Sequence, residues 1–371
     1  MRRSDVARKE TTMKAAVLKA FGTPLVLEDL PDPVLGTGEV IVDVVAAGVL
    51  SYMDEVLSGQ RKYPMTLPMV PGAGAVGRVR AVGPDSTRLK IGEWVMCDPT
   101  VRSRDDARTP DIALLGLSAR GDGGLKLQEY YHHGAWAEQM MLPTENVFPL
   151  GEIDAADAAK WCALGLYMVP YGGLLAIDLK AGETLLVSGA TGDFGGAGVA
   201  VALAMGAGCV VAPGRNEARL ASLERKYRGR VRAVRLTGDE ARDIRNMKAA
   251  APGPIDCVLD LLPPWAPASV VRAAAMTVRE YGRIVLMGGV GMLGGEDLAL
   301  PYPWIMRNNI TLKGQWMFPR SANTMMINMV SAGLLDIASG DVAAFGLDRA
   351  NEAVAHASAK GGRSSRTVIC P

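Results

Sequence analysis

The chain has 371 residues, of which 49% are apolar and 21% charged, with 40 Lys and Arg against 39 Asp and Glu. That length suits two domains, and that apolar share builds a large core and excludes an intrinsically disordered chain. A net charge of +1 lacks the basic excess of a nucleic-acid binder. The five Cys (97, 162, 209, 257, 370), with no C-x-x-C pair, point to free thiols in a reducing compartment, the cytoplasm.

Residues 1–12, MRRSDVARKETT, are polar and mixed in charge and read as a disordered extension; Asp5 and Glu10 argue against a transit peptide. From Met13, short β-like runs alternate with turn residues. Residues 40–45, 74–82 and 94–96 read as strands, the charged, glycine-rich stretch 102–128 as a long loop or flap, and 133–141 as a further strand. His132 and His133, adjacent on a strand, would face opposite ways and make a poor metal pair. From about residue 154, strands at 184–188, 209–212, 233–236, 256–262, 283–287 and 310–313 alternate with helices such as 217–227, 239–250 and 266–279. Six such runs predict a doubly wound parallel sheet. The uncharged stretch 195–213 is long enough to suggest a membrane span, but its glycines and terminal Pro213 suit a buried helix and strand instead. A helix at 348–359 and a strand at 367–369 are expected to return to the first domain.

The richest segment is 185–198, LLVSGATGDFGGAG. A strand runs into the turn Gly189-Ala190-Thr191-Gly192-Asp193-Phe194-Gly195, which opens into a small-residue helix. Glycines at the first two positions let the backbone turn, the third lets the helix approach the strand, and the helix start attracts a pyrophosphate. Asp193 would repel that group if it pointed inward and is expected to cap the helix. The second strand ends in Gly214-Arg215-Asn216 with no acid at its tip. The glycine leaves room for a phosphate that Arg215 could accept, which points to NADPH over NADH. The plainer reading of Arg215 is a solvated residue at a helix start.

The segments MKAAVLKAFG, AAGV at 46–49, PGAGAVGRVRAVG at 71–83, KIGEWV at 90–95, GAWAEQ at 134–139, AGETLLVSGATGDFGG at 181–196 and GRIVLMGG at 282–289 together resemble the medium-chain dehydrogenase/reductase superfamily. That group holds zinc alcohol dehydrogenases, quinone oxidoreductases and enoyl reductases. The resemblance implies an α/β chain: a GroES-like β-rich catalytic domain (13–153 and 347–371) and a Rossmann domain with a doubly wound parallel sheet (154–346). It adds Gly288 and Gly289 to the cofactor-binding residues.

The departures narrow the chemistry. Zinc members carry Cys-His where this chain has Leu50-Ser51, and Gly-His-Glu where it has Gly72-Ala73-Gly74; their third ligand falls at Gly165, with Cys162 nearby. Leu, Ala and Gly offer zinc no donor atom, and Cys97 stands apart from any four-Cys lobe, so no metal is expected. Without a Lewis acid, conjugate reduction of an enone or quinone asks less of the protein than reduction of a plain ketone. Hydride adds to the β-carbon, hydrogen-bond donors hold the enolate, and a hydroxyl returns a proton. Ser51, Tyr52 and Tyr63 are the candidate donors, with Asp54 either orienting one of them or lying on the surface. Tyr167 and Tyr171 are candidates to pack on the cofactor. Trp161, Met168, Trp304, Met306, Trp316, Met317 and Phe318 either line an apolar substrate pocket or belong to core and interface. Residues 309–314 resemble an edge strand through which family members dimerise, so a homodimer is expected.

The expected protein is thus a zinc-independent, NADPH-dependent reductase of an enone or quinone. The alternatives are an alcohol dehydrogenase or carbonyl reductase using a Tyr or Ser donor, and a cofactor-binding protein without chemistry. No membrane or nucleic-acid partner is expected.

Overall fold

Long runs of buried β-branched residues place the central strands. The computed structural model describes residues 11–337, 340–361 and 365–371, and the chain divides into two compact units. Residues 1–10 of the expected extension lie outside the described residues; Thr12 already pairs with Pro31.

The first unit runs to Cys162 and resumes over Asp341–Ala359 and Arg366–Pro371. Its early strands are β1 (Thr12–Val17), β2 (Val26–Pro31) and β3 (Glu39–Val49), followed by the short helix α1 (Met53–Leu57). Next come β4 (Ala75–Val82), β5 (Trp94–Cys97), β6 (Thr100–Arg102), β7 (Ile112–Leu114), β8 (Ser118–Arg120) and helix α2 (Gly121–Tyr131). Strands β9 (Gln139–Pro143) and β10 (Val147–Pro149) and the short helix α3 (Ala158–Trp161) complete the first pass. The returning segment supplies β17 (Val342–Phe345), α11 (Ala350–Lys360) and β18 (Arg366–Ile369). One sheet runs β10-β5-β4-β3-β18-β17, with β9 also paired to β3. β3 is its centre, and its residues are almost all buried because β4, β9 and β18 bond to it. Met13, Val40, Val42, Val76, Val95, Trp136 and Met140 fill the core behind it.

Two expectations in this unit are corrected. Residues 102–128 are not one long loop. β6, β7 and β8 form a three-stranded antiparallel sheet, and α2 packs on it. Gly123 and Gly124, read from sequence as loop residues, are close-contact positions: a Cβ at either would strike Asp111 or the Ile112 carbonyl. The strand expected at 133–141 exists only from Gln139, and His133 makes an isolated bridge to Val70. His132 caps the end of α2 at φ 56°, so the two histidines do not alternate along a strand.

The second unit comprises Ala163–Gly340 and Lys360–Ser365. It begins with α4 (Leu164–Ala176), β11 (Thr184–Ser188), α5 (Asp193–Ala204), β12 (Cys209–Gly214), α6 (Glu217–Lys226) and β13 (Val231–Arg235). It continues with α7 (Glu240–Ala250), β14 (Ile255–Asp260), α8 (Ala268–Ala275), β15 (Val278–Leu286), α9 (Tyr302–Arg307), β16 (Thr311–Gly314) and α10 (Ala322–Ser331). All six strands are parallel in the order β13-β12-β11-β14-β15-β16. The order reverses between β11 and β14, and in such sheets ligands bind beyond the strand ends at that switch. The stretch 195–213 divides into α5 and β12, and among the described residues no helix is long and apolar enough to cross a membrane. The helix expected over 266–279 stops at Ala275. The Thr277 hydroxyl donates to the Ala274 carbonyl at 2.6 Å, and Val278 starts β15 opposite Ile255.

Candidate functional site

In the second unit, β11 is fully buried and delivers the chain to Gly189, whose φ of +86° favours glycine. The Gly192 N–H closes the turn on the Gly189 carbonyl at 2.9 Å, and Gly192 is the cap of α5. A Cβ on Gly195 would strike the Gly189 carbonyl and come within 2.8 Å of the Ala190 Cα. Helix start and turn are therefore in backbone contact. The expectation that Asp193 caps the helix is corrected: it is the first helical residue, and the capping position is a glycine with no side chain to offer. An acid in a first turn is still favoured by the helix dipole. The residues present fit a dinucleotide pyrophosphate by this cradle, which a side chain would fill.

The tip of β12 also differs from expectation. Gly214 does not hold open a space for a phosphate; its Cβ would meet Thr191 Cγ2 at 2.7 Å and Leu220 at 3.2 Å, so the glycine admits the phosphate turn itself. Arg215 is exposed, its guanidinium 5.7 Å from the ring of Trp265, which is 62% exposed. The Asn216 side chain caps α6 by accepting from the Arg219 N–H at 3.1 Å. Arg219, unnoticed in the sequence, donates to the Thr191 carbonyl at 3.1 Å and the Gly361 carbonyl at 2.8 Å. Its position three residues after a helix cap was the one available signal.

Gly288 and Gly289 follow β15. A Cβ on Gly288 would come within 2.5 Å of Asp260 Oδ2, and one on Gly289 within 2.8 Å of Pro264. Both therefore let the end of β15 close on the segment after β14. Tyr167 and Tyr171 are buried in α4, and Tyr167 acts on the phenol of Tyr227.

In the first unit, Ser51 and Tyr52 precede α1. Burial, then neighbouring Tyr63, raises the Tyr52 phenol well above its ordinary pKa; the Arg61 guanidinium, 4.2 Å over its ring, works the other way. Arg61 is held by Glu55 at 2.7 Å. Tyr52 and Tyr63 are thus close enough to influence one another. Asp54 is turned to Ser358, whose hydroxyl donates to it at 2.8 Å, so it orients neither tyrosine. Tyr130 donates to Glu39 at 2.6 Å, and burial pushes Tyr131 up to about 12. Burial, then His132, lowers His133 to about 4, which leaves that imidazole neutral at physiological pH.

The segment Gly72-Ala73-Gly74, set against the Gly-His-Glu of zinc members, is shaped by backbone packing. A side chain on Gly72 would strike Trp136, one on Gly74 the Cys97 carbonyl at 2.8 Å, and both glycines have positive φ. The Cys162 thiol donates to the Ala46 carbonyl at 3.1 Å, and burial pushes it up to about 12. Among the described residues no three His, Cys, Asp or Glu side chains gather as metal ligands. The apolar set divides between core and surface: Met168 and Phe318 are buried, while Met306 is 55% and Trp316 43% exposed.

The description "Alcohol dehydrogenase GroES-like domain" matches residues 36–152. An alcohol dehydrogenase of Rhizobium meliloti (strain 1021) is 32% identical over 206 residues, 53% of this chain and 56% of its own. The quinone oxidoreductase of Homo sapiens is 27% identical over 206 residues, 54% of this chain and 53% of its own. The chain thus spans about half the length of these curated relatives. The solved alcohol dehydrogenase of Thermus sp. ATN1 shares the fold with a TM-score of 0.78 at 20% identity, covering 96% of this chain and 99% of that one. The GroES-like match lies in the first unit, and the six-stranded parallel sheet forms the second. Residues 36–152 are similar to the alcohol dehydrogenase GroES-like domain, and the chain as a whole shares the fold of that solved structure.

Proposed function

We propose that this protein is a zinc-independent, NADPH-dependent oxidoreductase that reduces an activated C=C bond or a quinone. The observation that carries the reading is the Gly189–Gly195 backbone contact, a close approach of helix start and turn that supports pyrophosphate binding there. The zinc-independent part is supported by Leu50, Ala73 and Gly74, which have no ligating atoms. Bound NADPH supplies the hydride. The second unit would hold it, with backbone N–H groups of the 189–195 turn available to its pyrophosphate and Arg215 to its 2′-phosphate. Tyr52 stays protonated because its phenol is buried. It serves as donor to the substrate oxygen and as the proton source that balances hydride addition, with Ser51 and Tyr63 as further donors. The substrate is a small apolar enone or quinone. Strand β16 is an exposed sheet edge suited to pairing with a second copy. The free cysteines fit a cytoplasmic setting.

The name of the Rhizobium meliloti relative, alcohol dehydrogenase, favours a second reading: a carbonyl reductase using the same donors. NADPH and NADH oxidation by chelator-treated protein, with enones, quinones and plain ketones, separates them. Enone or quinone turnover that survives chelation supports the first reading. Turnover of ketones alone selects the second. Chelator-sensitive activity overturns zinc independence, and cofactor binding without turnover leaves a binding protein.

A further inference from the structure

Asp260 ends β14 at the switch point of the parallel sheet. In register it lies beside Ser188, the last residue of β11, and Leu286, the last of β15. It is 3% exposed. Its Oδ2 closes the space at Gly288, and its buried Oδ1 has no hydrogen-bond partner. The Ser188 hydroxyl and the Leu262 and Gly288 N–H groups favour its charged form. Among the described residues no charged or titratable group acts on it from β11, β14 or β15; burial is the opposing influence and dominates, leaving the carboxyl at about 6.

Three chain segments leave these strand ends, and those after β11 and β15 carry the candidate cofactor glycines. Gly189 directly follows Ser188, and the Leu261 N–H donates to the Ser188 carbonyl at 3.1 Å. The Gly289 N–H donates to the Leu262 carbonyl at 2.8 Å, and the Met287 N–H to the Asp260 carbonyl at 3.1 Å. A carboxylate at the centre can accept from all three chain segments, whereas a protonated carboxyl offers one acceptor fewer.

We propose that Asp260 is a positioning residue of the dinucleotide site, its carboxylate holding the phosphate turn after β11 and the glycine pair after β15 at the spacing the ligand requires. The proposal rests on the reading that the second unit binds a dinucleotide. Binding then favours the carboxylate, so affinity falls as pH drops through about 6.

The test is calorimetric titration of the full chain with NADP⁺ and NAD⁺ from pH 5 to 8, for wild type, Asp260→Asn and Ser188→Ala. The 2′-phosphate of NADP⁺ also titrates near pH ~6, so variants are compared with the same ligand, and NAD⁺ lacks that group. The expected wild-type result is a loss of NAD⁺ affinity below pH about 6. Asp260→Asn is expected to weaken binding on the order of 10–100-fold at pH 8 and to remove that dependence. Ser188→Ala removes a donor to the carboxylate and is expected to move the inflection up by roughly half a unit to one unit. An inflection unmoved in Ser188→Ala, or Asp260→Asn binding like wild type throughout, overturns the proposal alone. Wild-type protein that binds neither dinucleotide at any pH overturns the dinucleotide reading and the proposal with it.

Discussion

Asp260→Asn should change stability in a direction set by pH. The carboxyl of Asp260 stands at about 6 in the fold against an ordinary 3.8. Between those values the folded chain holds a proton that the unfolded chain has released, so stability falls as pH rises through this window and stays lower above it. A shift of about 2 units corresponds to about 3 kcal/mol at pH 7.5, of which little is yet lost at pH 4. Asparagine carries no charge at either pH. Its Nδ2 would take the place of the unpartnered Oδ1 and find no acceptor, at a cost of about 1–3 kcal/mol, but that cost is independent of pH. The stability difference between variant and wild type should therefore move by about 2–3 kcal/mol in the variant's favour from pH 4 to pH 7.5. Hydrogen exchange of the β11 and β14 amides, compared between the two proteins at each pH, reads this within the second unit. A difference that stays constant within about 0.5 kcal/mol would refute the linkage reasoning. A variant that is more stable at neutral pH yet binds dinucleotide worse would show stability given up at a functional site.

Other substitutions separate the parts of the site. Gly195→Ala drives a Cβ into the Gly189 carbonyl and should weaken NADPH binding at least about tenfold by cofactor-fluorescence titration; unchanged affinity would remove the turn from the site. Arg215→Ala should raise the NADPH Kd on the order of tenfold to a hundredfold and leave NADH unchanged, because only the former offers a 2′-phosphate. Equal losses for both would assign Arg215 to another contact. Tyr52→Phe should lower kcat for an enone by roughly 10²–10⁴-fold with a smaller change in KM, and an unaltered kcat would rule out its hydroxyl as proton donor. Cys162, pushed up to about 12, should resist iodoacetamide at pH 7.5, and Cys162→Ser should keep its turnover; rapid alkylation followed by mass mapping would contradict the raised thiol.

Much of the fold was legible in the sequence. The β-branched runs that became β11, β12 and β14 are buried on both faces, so hydrophobicity alone marks them. The turn at Gly189 was legible for the same local reason: positive φ and close approach each require glycine there. The stretch 102–128 was not legible, because a glycine that allows a turn and one that admits a neighbouring segment of chain look alike in a sequence. Gly123 and Gly124 are the latter, and so are Gly214 and Gly288.

By itself the sequence determined the alternation of elements, the glycine turn at 189–195 and the absence of ligating atoms at positions 50, 73 and 74, since these depend on local backbone chemistry and on which atoms a side chain carries. Tertiary structure decided the rest. It turned Asp54 toward Ser358, occupied Asn216 as a helix cap, and gave Arg219 the carbonyls of Thr191 and Gly361. It also placed the carboxyl of Asp260 beside Ser188 and Gly288, 72 and 28 positions away along the chain. Those properties come from which donors and how much water surround a group, and such neighbours are brought together only when the strands pair.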